Sequence, residues 1–209
     1  NERVVDDIKG RLSKGTFVSI AAASFSIYAY EALKEELEQV EQLRFIFTSP
    51  AFIKDKSKKE KREFFIPKLN RERNLYGTDF ELRLRNQLSQ KAIAKECADW
   101  IRRKVQFRSN ASQEQMGGFM HVNNETQRVY LPFNEFTTTQ LGCERGANVY
   151  NVVNVLPSPT ANAYLEIFNE QWNNDEKFED VTKRILEYID IVYQENAPEY
   201  VYFIALHNI

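Results

Sequence analysis

The segment GTFVSIAAASFSIYAYEALKEELEQVEQLRFIFTS, residues 15–49, carries the strongest signal for the fold class. Residues 15–26 form a short uncharged run rich in Val, Ile, Ala and Phe, which is typical of a buried strand. Residues 26–42 carry apolar side chains at helical spacing, and residues 43–49 form a second apolar run. A strand, a helix and a strand in this order predict a β-α-β unit with parallel strands and a right-handed crossover, and hence an α/β protein.

The remainder of the chain continues the alternation of helices and strands. Residues 80–105 contain neither Gly nor Pro and repeat apolar side chains at four-residue steps, which predicts one long helix or two consecutive helices. Residues 118–123 and 128–136 flank the tetrapeptide NETQ and predict a β-hairpin. The alternating run at residues 147–156 is expected to be the last strand, and the whole chain after Ser158 is expected to be helical.

Two regions follow from these elements. Residues 1–157 should form an α/β domain whose mixed sheet has helices on both faces, and residues 158–209 should form a C-terminal helical extension. The chain begins without methionine and ends on the apolar run VYFIALHNI. We therefore expect a fragment of a longer protein, with an intact processed protein as the alternative.

Composition excludes several classes of protein. The chain has 209 residues with 28 Lys and Arg against 30 Asp and Glu, and this net charge of −2 excludes a uniformly basic nucleic-acid coat. A hydrophobic content of 43% excludes a disordered chain. No apolar run approaches the roughly 20 residues that span a bilayer, so we expect no membrane partner. The two cysteines, Cys97 and Cys143, offer no disulfide framework and predict a reducing compartment, which we take to be the cytoplasm.

The charge is distributed unevenly along the chain. Residues 54–73 hold nine basic and four acidic side chains, a net charge of +5, and residues 91–108 hold six and two, a net charge of +4. Residues 165–199 hold ten acidic and three basic side chains, a net charge of −7. Basic stretches on a nearly neutral chain indicate a positive surface that faces phosphates or an acidic partner, with a solvated loop as the alternative. We expect the two basic stretches to converge on one face and the acidic helices to lie elsewhere.

Seven basic side chains in and near these stretches are candidates for contact with a phosphate backbone, which requires only Lys, Arg and backbone N–H groups. They are Arg71, Arg73, Arg83, Arg85, Arg102, Arg103 and Lys104. For Arg83 and Arg85, ordinary surface pairing with Glu81 or with other helices is the alternative.

Several motifs of catalysis and cofactor binding are missing from the sequence. The chain has no phosphate-binding G-x-x-x-x-G-K-[ST], no dinucleotide-binding G-x-G-x-x-G and no Gly-flanked nucleophilic serine. The two Cys and two His residues lack the spacing of zinc ligands, so we expect no metal site and no cofactor in this chain. An independent enzyme would have to use scattered carboxylates, His121 or His207.

His121 is the residue with the most specific chemistry. On the strand predicted at 118–123, Phe119, His121 and Asn123 share one face because side chains alternate along a strand. A histidine at the start of a hairpin with a polar residue two positions on resembles the layout of phospholipase D-type phosphodiesterases. In that family the pattern is His-x-Lys followed after four residues by Asp, and the segment LPFNEFTTTQLG (131–142) resembles the Gly-Ser-x-Asn segment that comes next.

The sequence departs from this family at two positions that matter for catalysis. Asn123 stands at the position of the lysine, and Arg128 stands at the position of the aspartate. In the family the histidine attacks phosphorus while the lysine holds the phosphate oxygens, a charge-stabilising role that asparagine cannot fill. The resemblance therefore implies a phospholipase D-like domain without activity, in which His121 and Asn123 are the remaining catalytic candidates. The alternative is an ordinary strand histidine in an unrelated α/β protein.

The C-terminal region resembles the helical connector that leads into the ATPase core of large bacterial superfamily 2 helicases of the Swi/Snf type. The matching residues are Tyr193, Glu195, Asn196, Pro198, Glu199, Tyr202 and Leu206. Residues 69–105 resemble the same group through Tyr76-Gly77, Phe80-Glu81 and Asn86. The resemblance implies that a helicase core, which would bind ATP and Mg²⁺, is covalently linked to this chain in the longer protein.

Three functions from different classes are consistent with these features. The first is a non-catalytic accessory module of a helicase-like ATPase that binds nucleic acid, with DNA as the main partner and RNA as the alternative. The second is a protein-interaction or dimerisation module, since phospholipase D halves commonly pair. The third is an active phosphodiesterase or nuclease that uses His121. Salt-dependent DNA binding separates the first function from the second, and metal-independent cleavage of a phosphodiester identifies the third.

Overall fold

The computed structural model describes residues 3–51, 89–112, 114–143 and 152–195. Its helices are α1 (Val4–Arg11), α2 (Ile27–Ala32), α3 (Lys34–Leu37), α4 (Ser89–Lys104), α5 (Thr138–Leu141), α6 (Thr160–Trp172) and α7 (Thr182–Glu195). Its strands are β1 (Phe17–Ala22), β2 (Gln42–Phe47), β3 (Val105–Asn110), β4 (Phe119–Asn123), β5 (Arg128–Leu131), β6 (Asn154–Pro157) and β7 (Phe178–Asp180).

These strands form one mixed sheet in the order β6-β5-β4-β1-β2-β3-β7. Strands β1, β2 and β3 are parallel to one another, and the other neighbours are antiparallel. The predicted parallel pairing of β1 with β2 is confirmed, and the predicted hairpin, β4 with β5, lies in the same sheet. The α/β class with a helix-flanked mixed sheet is therefore confirmed.

The larger core lies between one face of the sheet and helices α1, α2, α4 and α7. Phe25 is central to it, because its ring centroid lies 5.7 Å from that of Phe45, 5.1 Å from that of Phe107 and 5.3 Å from that of Phe136. Such edge-to-face and offset contacts add to the free energy gained by burying the rings. This face of the sheet holds most of the buried apolar residues described.

A smaller core lies on the opposite face, beneath α6. Ala161 and Phe168 of that helix pack on Ala21, Ile46 and Phe119 of the sheet. Among the described helices, α6 is the one that packs in this cluster. It therefore determines which side chains on this face are buried and which stay exposed.

The predicted helix at 26–42 is divided into two shorter helices. Ser26 caps the first, because its hydroxyl oxygen accepts a hydrogen bond from the backbone N–H of Tyr28 at 3.1 Å. The helix ends at Leu33, whose φ of −119° departs from helical geometry, and α3 follows. The amphipathic pattern predicted the helical character of the segment but not this break.

The prediction of uninterrupted helix after Ser158 is wrong. Residues Phe178–Asp180 form β7, which pairs antiparallel with β3, so residues 147–156 do not contain the last strand. Phe178 is buried, which draws this segment onto the sheet. The following helix begins at Thr182, whose N–H donates a hydrogen bond to the Asp180 carboxylate at 2.8 Å.

Residues 158–195 of the predicted extension therefore contribute to both faces and one edge of the sheet. Helix α6 covers one face, α7 packs in the core of the other face, and β7 extends the sheet at β3. The domain boundary after Pro157 stays a prediction, and residues 196–209 lie outside the described residues. In the part of the chain that the structure describes, no helix combines the length and the apolar character that crossing a membrane requires.

Candidate functional site

The sheet face beneath α6 carries two rows of side chains that cross the strands. Residues that are paired in register point to the same side of a sheet, so the register identifies each row. The first row lies near the amino ends of the parallel strands and contains Asn123, Phe17 and Gln42. The second row lies one pleat further along β1 and contains His121, Ser19, Arg44 and Gln106.

His121 is fully buried at the centre of β4, between Ser19 of β1 and Val129 of β5. Neither ring nitrogen has a hydrogen-bond partner among the described residues. Gln127 lies beside the ring, but no hydrogen bond of normal geometry joins the two side chains, and the Gln127 Oε1 is likewise buried without a described partner. Burial is the main cause that lowers the pKa of His121; Gln127 opposes this and the nearby charge of Arg44 adds to it.

This environment leaves His121 neutral but enclosed. A neutral imidazole has the protonation state that nucleophilic attack requires, but a ring with no exposed surface cannot reach a phosphodiester in this arrangement. Asn123 lies on the same face, two residues on, and is only partly buried. The two catalytic candidates are therefore adjacent, with the histidine inaccessible to a substrate.

Arg44 belongs to the second row, and the sequence interpretation did not include it among the candidates. Its guanidinium donates to the Asn169 Oδ1 of α6 at 2.9 Å and to the Ser19 hydroxyl oxygen at 3.3 Å, and it lies 5.0 Å from the ring centre of Phe168. Burial lowers the pKa of Arg44, and no carboxylate lies within ion-pair distance of it in the described part of the chain. The available signal was that Arg44 is the single charge within the apolar run LRFIFTS (43–49).

The basic end of α4 is engaged in contacts within the protein. Arg102 donates to both carboxylate oxygens of Asp190 at 3.0 Å and to Asp99 at 2.8 Å. Arg103 pairs with the Glu38 carboxylate at 2.8 Å. Lys104 differs, because its Nζ donates to the backbone oxygens of Glu38 at 2.6 Å and Val40 at 2.8 Å rather than to a carboxylate.

The expectation that the acidic helices point away from the basic stretch is wrong for α7. Asp190 of α7 contacts Arg102 directly, because α7 and α4 pack in the same core through Ile185, Ile189 and Ile101. The positive charge of residues 102–103 is therefore largely compensated by carboxylates of the same chain.

The remaining basic candidates, Arg71, Arg73, Arg83 and Arg85, lie outside the described residues, as does the whole stretch 54–73. We call residues 52–88, which connect β2 to α4, the insertion. It follows Ala51, beyond the carboxyl end of β2, and it ends before Ser89, the first residue of α4. Arg102 to Lys104 lie at the other end of α4, next to the amino end of β3. The two ends of the insertion therefore lie at the carboxyl ends of the parallel strands, and the basic end of α4 lies at their amino ends.

A cavity of about 350 Å³ lies at the amino ends of the parallel strands β1, β2 and β3. The sheet contributes Phe17, Gln42, Val105 and Gln106 to its lining, α4 contributes Arg102, Arg103 and Lys104, and Glu41 completes it. The cavity therefore joins the first row of the sheet face to the basic end of α4.

Metal and thiol chemistry have little support in the described residues. No group of three or more His, Cys, Asp or Glu side chains is arranged there to hold a metal ion. Cys97 is fully buried, and burial raises the pKa of its thiol well above the usual range, which disfavours the reactive thiolate.

No protein-family model matches this chain, and no curated protein matches it at a significant level. The resemblances to phospholipase D-type domains and to Swi/Snf-type helicases therefore stay predictions.

His121 should make the folded state sensitive to mild acid. The lowered pKa means that the folded state resists protonation of His121, whereas the unfolded chain takes up the proton below about pH 6.5. The free energy of unfolding should therefore fall as pH decreases below that value, by at most about 1.4 kcal/mol per pH unit for one proton. Urea unfolding at pH 7.5 and pH 5.5 measures this slope.

The matched variant is His121→Leu, which cannot titrate. Contributions from carboxylates are common to both proteins and cancel when the two slopes are compared. If the free energy of unfolding depends on pH equally in His121→Leu and in the wild type, His121 is not the source of the acid sensitivity.

Proposed function

We propose that this chain is an accessory nucleic-acid-binding module of a helicase-like ATPase, with a phospholipase D-like fold that performs no chemistry itself. DNA is the main partner and RNA the alternative. ATP and Mg²⁺ bind to the covalently linked helicase core, and the whole protein works in the cytoplasm.

The topology around β4 supports the phospholipase D-like part of the proposal. The hairpin of β4 and β5 lies beside β1, and His121 occupies the centre of β4, the third strand in the sheet order. Residues 134–136 continue along the end of β1, because the Asn134 carbonyl oxygen accepts a hydrogen bond from the Ala23 N–H at 2.7 Å. His121 itself pairs with Ser19, four residues before Ala23, so this segment follows the hairpin along β1 but is not beside the histidine in register.

The same residues support the absence of catalysis. His121 is buried, Asn123 brings no charge, and the Arg128 side chain donates to the Gln127 backbone oxygen at 2.9 Å. Arg44, the cation that acts on His121 among the described residues, contacts α6. The hypothesis of a phosphodiesterase that uses His121 is therefore supported only by the partial His-x-Lys resemblance of His121 and Asn123.

The observation that carries nucleic-acid binding is the charge of the insertion between β2 and α4. Its residues 54–73 have a net charge of +5 and include no motif for another ligand. Arg102 and Arg103 contribute less than their sequence suggested, since carboxylates of the same chain already compensate them. The insertion therefore supplies most of the attraction for phosphates.

Neutralising the insertion should weaken nucleic-acid binding and its dependence on salt. The variant replaces Lys56, Lys58, Lys59 and Lys61 by Gln. We expect the slope of log K against log salt concentration to flatten by about 0.9 for each duplex phosphate contact that is lost. Fluorescence anisotropy with a labelled DNA duplex at four salt concentrations measures the slope.

Lys183→Gln is the matched control, because this lysine is 91% exposed on the acidic helix α7 and should leave the slope unchanged. Equal slopes for the wild type and the four-lysine variant would remove the insertion from the binding surface.

A protein-interaction module, including a homodimer, is the second candidate, and the exposed edge of the sheet favours it. Among the described strands, β6 is the outermost on its side; Val155 in it is 36% exposed, and Val152 just before it is 71% exposed. An edge strand with apolar side chains is a template for pairing with another strand. A dimer in sedimentation equilibrium that the Val155→Lys variant loses would favour this function.

A further inference from the structure

Phe17 is an exposed aromatic residue on the sheet face that α6 covers only in part. It is 47% exposed, whereas Ser19 and Ala21, on the same face of the same strand, are 2% and 0% exposed. The difference arises because α6 packs over Ala21 and does not cover the first row. A single exposed ring is common on protein surfaces, so the polar and basic groups around Phe17 are what distinguish this position.

The groups around Phe17 are polar and can both donate and accept hydrogen bonds. Asn123 and Gln42 are its direct neighbours in register on either side, and Gln106 lines the same cavity. Side-chain amides provide donors and acceptors together, as do the edges of nucleobases. One ring and its neighbouring amides form a much smaller surface than the roughly 800 Å² per partner that a stable protein interface buries.

Two positive charges near the cavity lack a carboxylate partner among the described residues. Lys104 lines the cavity and bonds only to backbone oxygens. Arg44 stands next to Gln106 in register and contacts Asn169, Ser19 and aromatic rings. A phosphate near Lys104 would therefore meet a charge that the protein has not already compensated.

We propose that the cavity binds one nucleotide unit of a single-stranded nucleic acid. The base stacks on Phe17, the amides of Gln42 and Gln106 bond to its edge, and Lys104 attracts the adjoining phosphate. The inference rests on the proposed function and assigns it a strand preference. Bases in a duplex are already stacked and paired, so Phe17 can contribute to binding only when the strand is single.

Glu41 gives the proposal a second, opposite test. It is exposed and lines the same cavity, where its negative charge repels a phosphate. Glu41→Gln should therefore strengthen the binding of an anionic strand, by a factor of about 2 to 5, which corresponds to one exposed charge contact. The same change would weaken the binding of a cationic ligand.

The experiment measures the binding of a labelled oligo(dT) strand and of a DNA duplex of equal length by fluorescence anisotropy. Phe17→Ala should weaken single-strand binding by about 5- to 150-fold and leave duplex binding unchanged. Phe17→Leu keeps an apolar side chain but removes the ring, and it should weaken single-strand binding in the same direction. Ile167→Ala is the control, since Ile167 is 42% exposed on α6.

The outcomes separate this inference from the proposed function. If the wild type binds both nucleic acids but neither Phe17 variant changes single-strand binding, the inference is overturned and the proposed function stands. If Glu41→Gln weakens binding of the oligo(dT) strand, no phosphate lies near Glu41 in the cavity, and the inference is also overturned. If the wild type binds neither nucleic acid, the proposed function is overturned, and the inference that rests on it is overturned as well.

Discussion

Replacement of Trp100 by alanine is expected to lower the free energy of unfolding by about 3–5 kcal/mol. The indole is fully buried in α4, with its ring centroid 4.9 Å from that of Tyr30 and 6.5 Å from that of Phe25. Its Nε1–H also donates to the Leu37 carbonyl oxygen at 3.1 Å, which links α4 to the end of α3. Removing the side chain leaves a cavity at the contact of three helices and one unpaired carbonyl.

Urea unfolding followed by circular dichroism measures this loss. Trp100→Phe keeps most of the packing but loses the hydrogen bond, so it should cost less than the alanine variant. Trp172→Ala is a comparison at a partly buried position, where truncation should cost less than at Trp100. Equal losses for Trp100→Ala and Trp172→Ala would show that the α4 contact is not the centre of the core.

Replacement of Gly118 by valine is expected to destabilise the protein by about 3 kcal/mol, the upper end of the usual overpacking cost. A Cβ at this position would lie 2.5 Å from the Phe133 carbonyl oxygen and 2.7 Å from the Asn134 Cα. Both are backbone atoms, and the Phe133 N–H donates to the Gly118 oxygen at 3.0 Å, so the two segments cannot separate without losing that bond. The substitution should displace residues 133–136 from the end of β1.

Gly117 provides a matched control one residue away. A Cβ there would meet nothing within 4 Å, so Gly117→Val should leave the unfolding midpoint nearly unchanged. Thermal unfolding of the two variants tests the contrast. A loss at Gly117 as large as that at Gly118 would point to a general cost of losing glycine in this loop rather than to the close backbone contact.

Periodic patterns gave reliable predictions where an element is long enough to repeat them. The apolar runs at 15–26 and 43–49 contain β1 and β2. Of the helix predicted over 80–105, residues 89–104 form α4, Val105 begins β3, and residues 80–88 lie outside the described residues. β7 has only three residues, which is too short for a period, and its strand conformation depends on the free edge of β3. Helix α1 was missed because its charged residues obscured Val5 and Ile8, which are buried on one face.

The site was less predictable because its neighbours come from different strands. The position of His121 near the sheet centre follows from the hairpin and the strand order, but its contact with Gln127 and the nearby Arg44 depends on register. Arg102 and Asp190 are 88 residues apart, and only the packing of α7 on α4 brings them together. Charge counts along a sequence cannot reveal such pairing, and so they overstated the positive surface of α4.

The late position of β7 in the sequence also affects how the protein folds during its synthesis on the ribosome. Strands β1, β2 and β3 and the hairpin can assemble once the chain has been synthesised past Leu131, but β3 then has an unpaired outer edge. Its partner is translated roughly 70 residues after Asn110, which takes about 4–14 s at common elongation rates. During that interval an exposed edge that contains Phe107 is available to other nascent chains. A chaperone that binds nascent chains would therefore protect this protein most between the synthesis of β3 and the synthesis of β7.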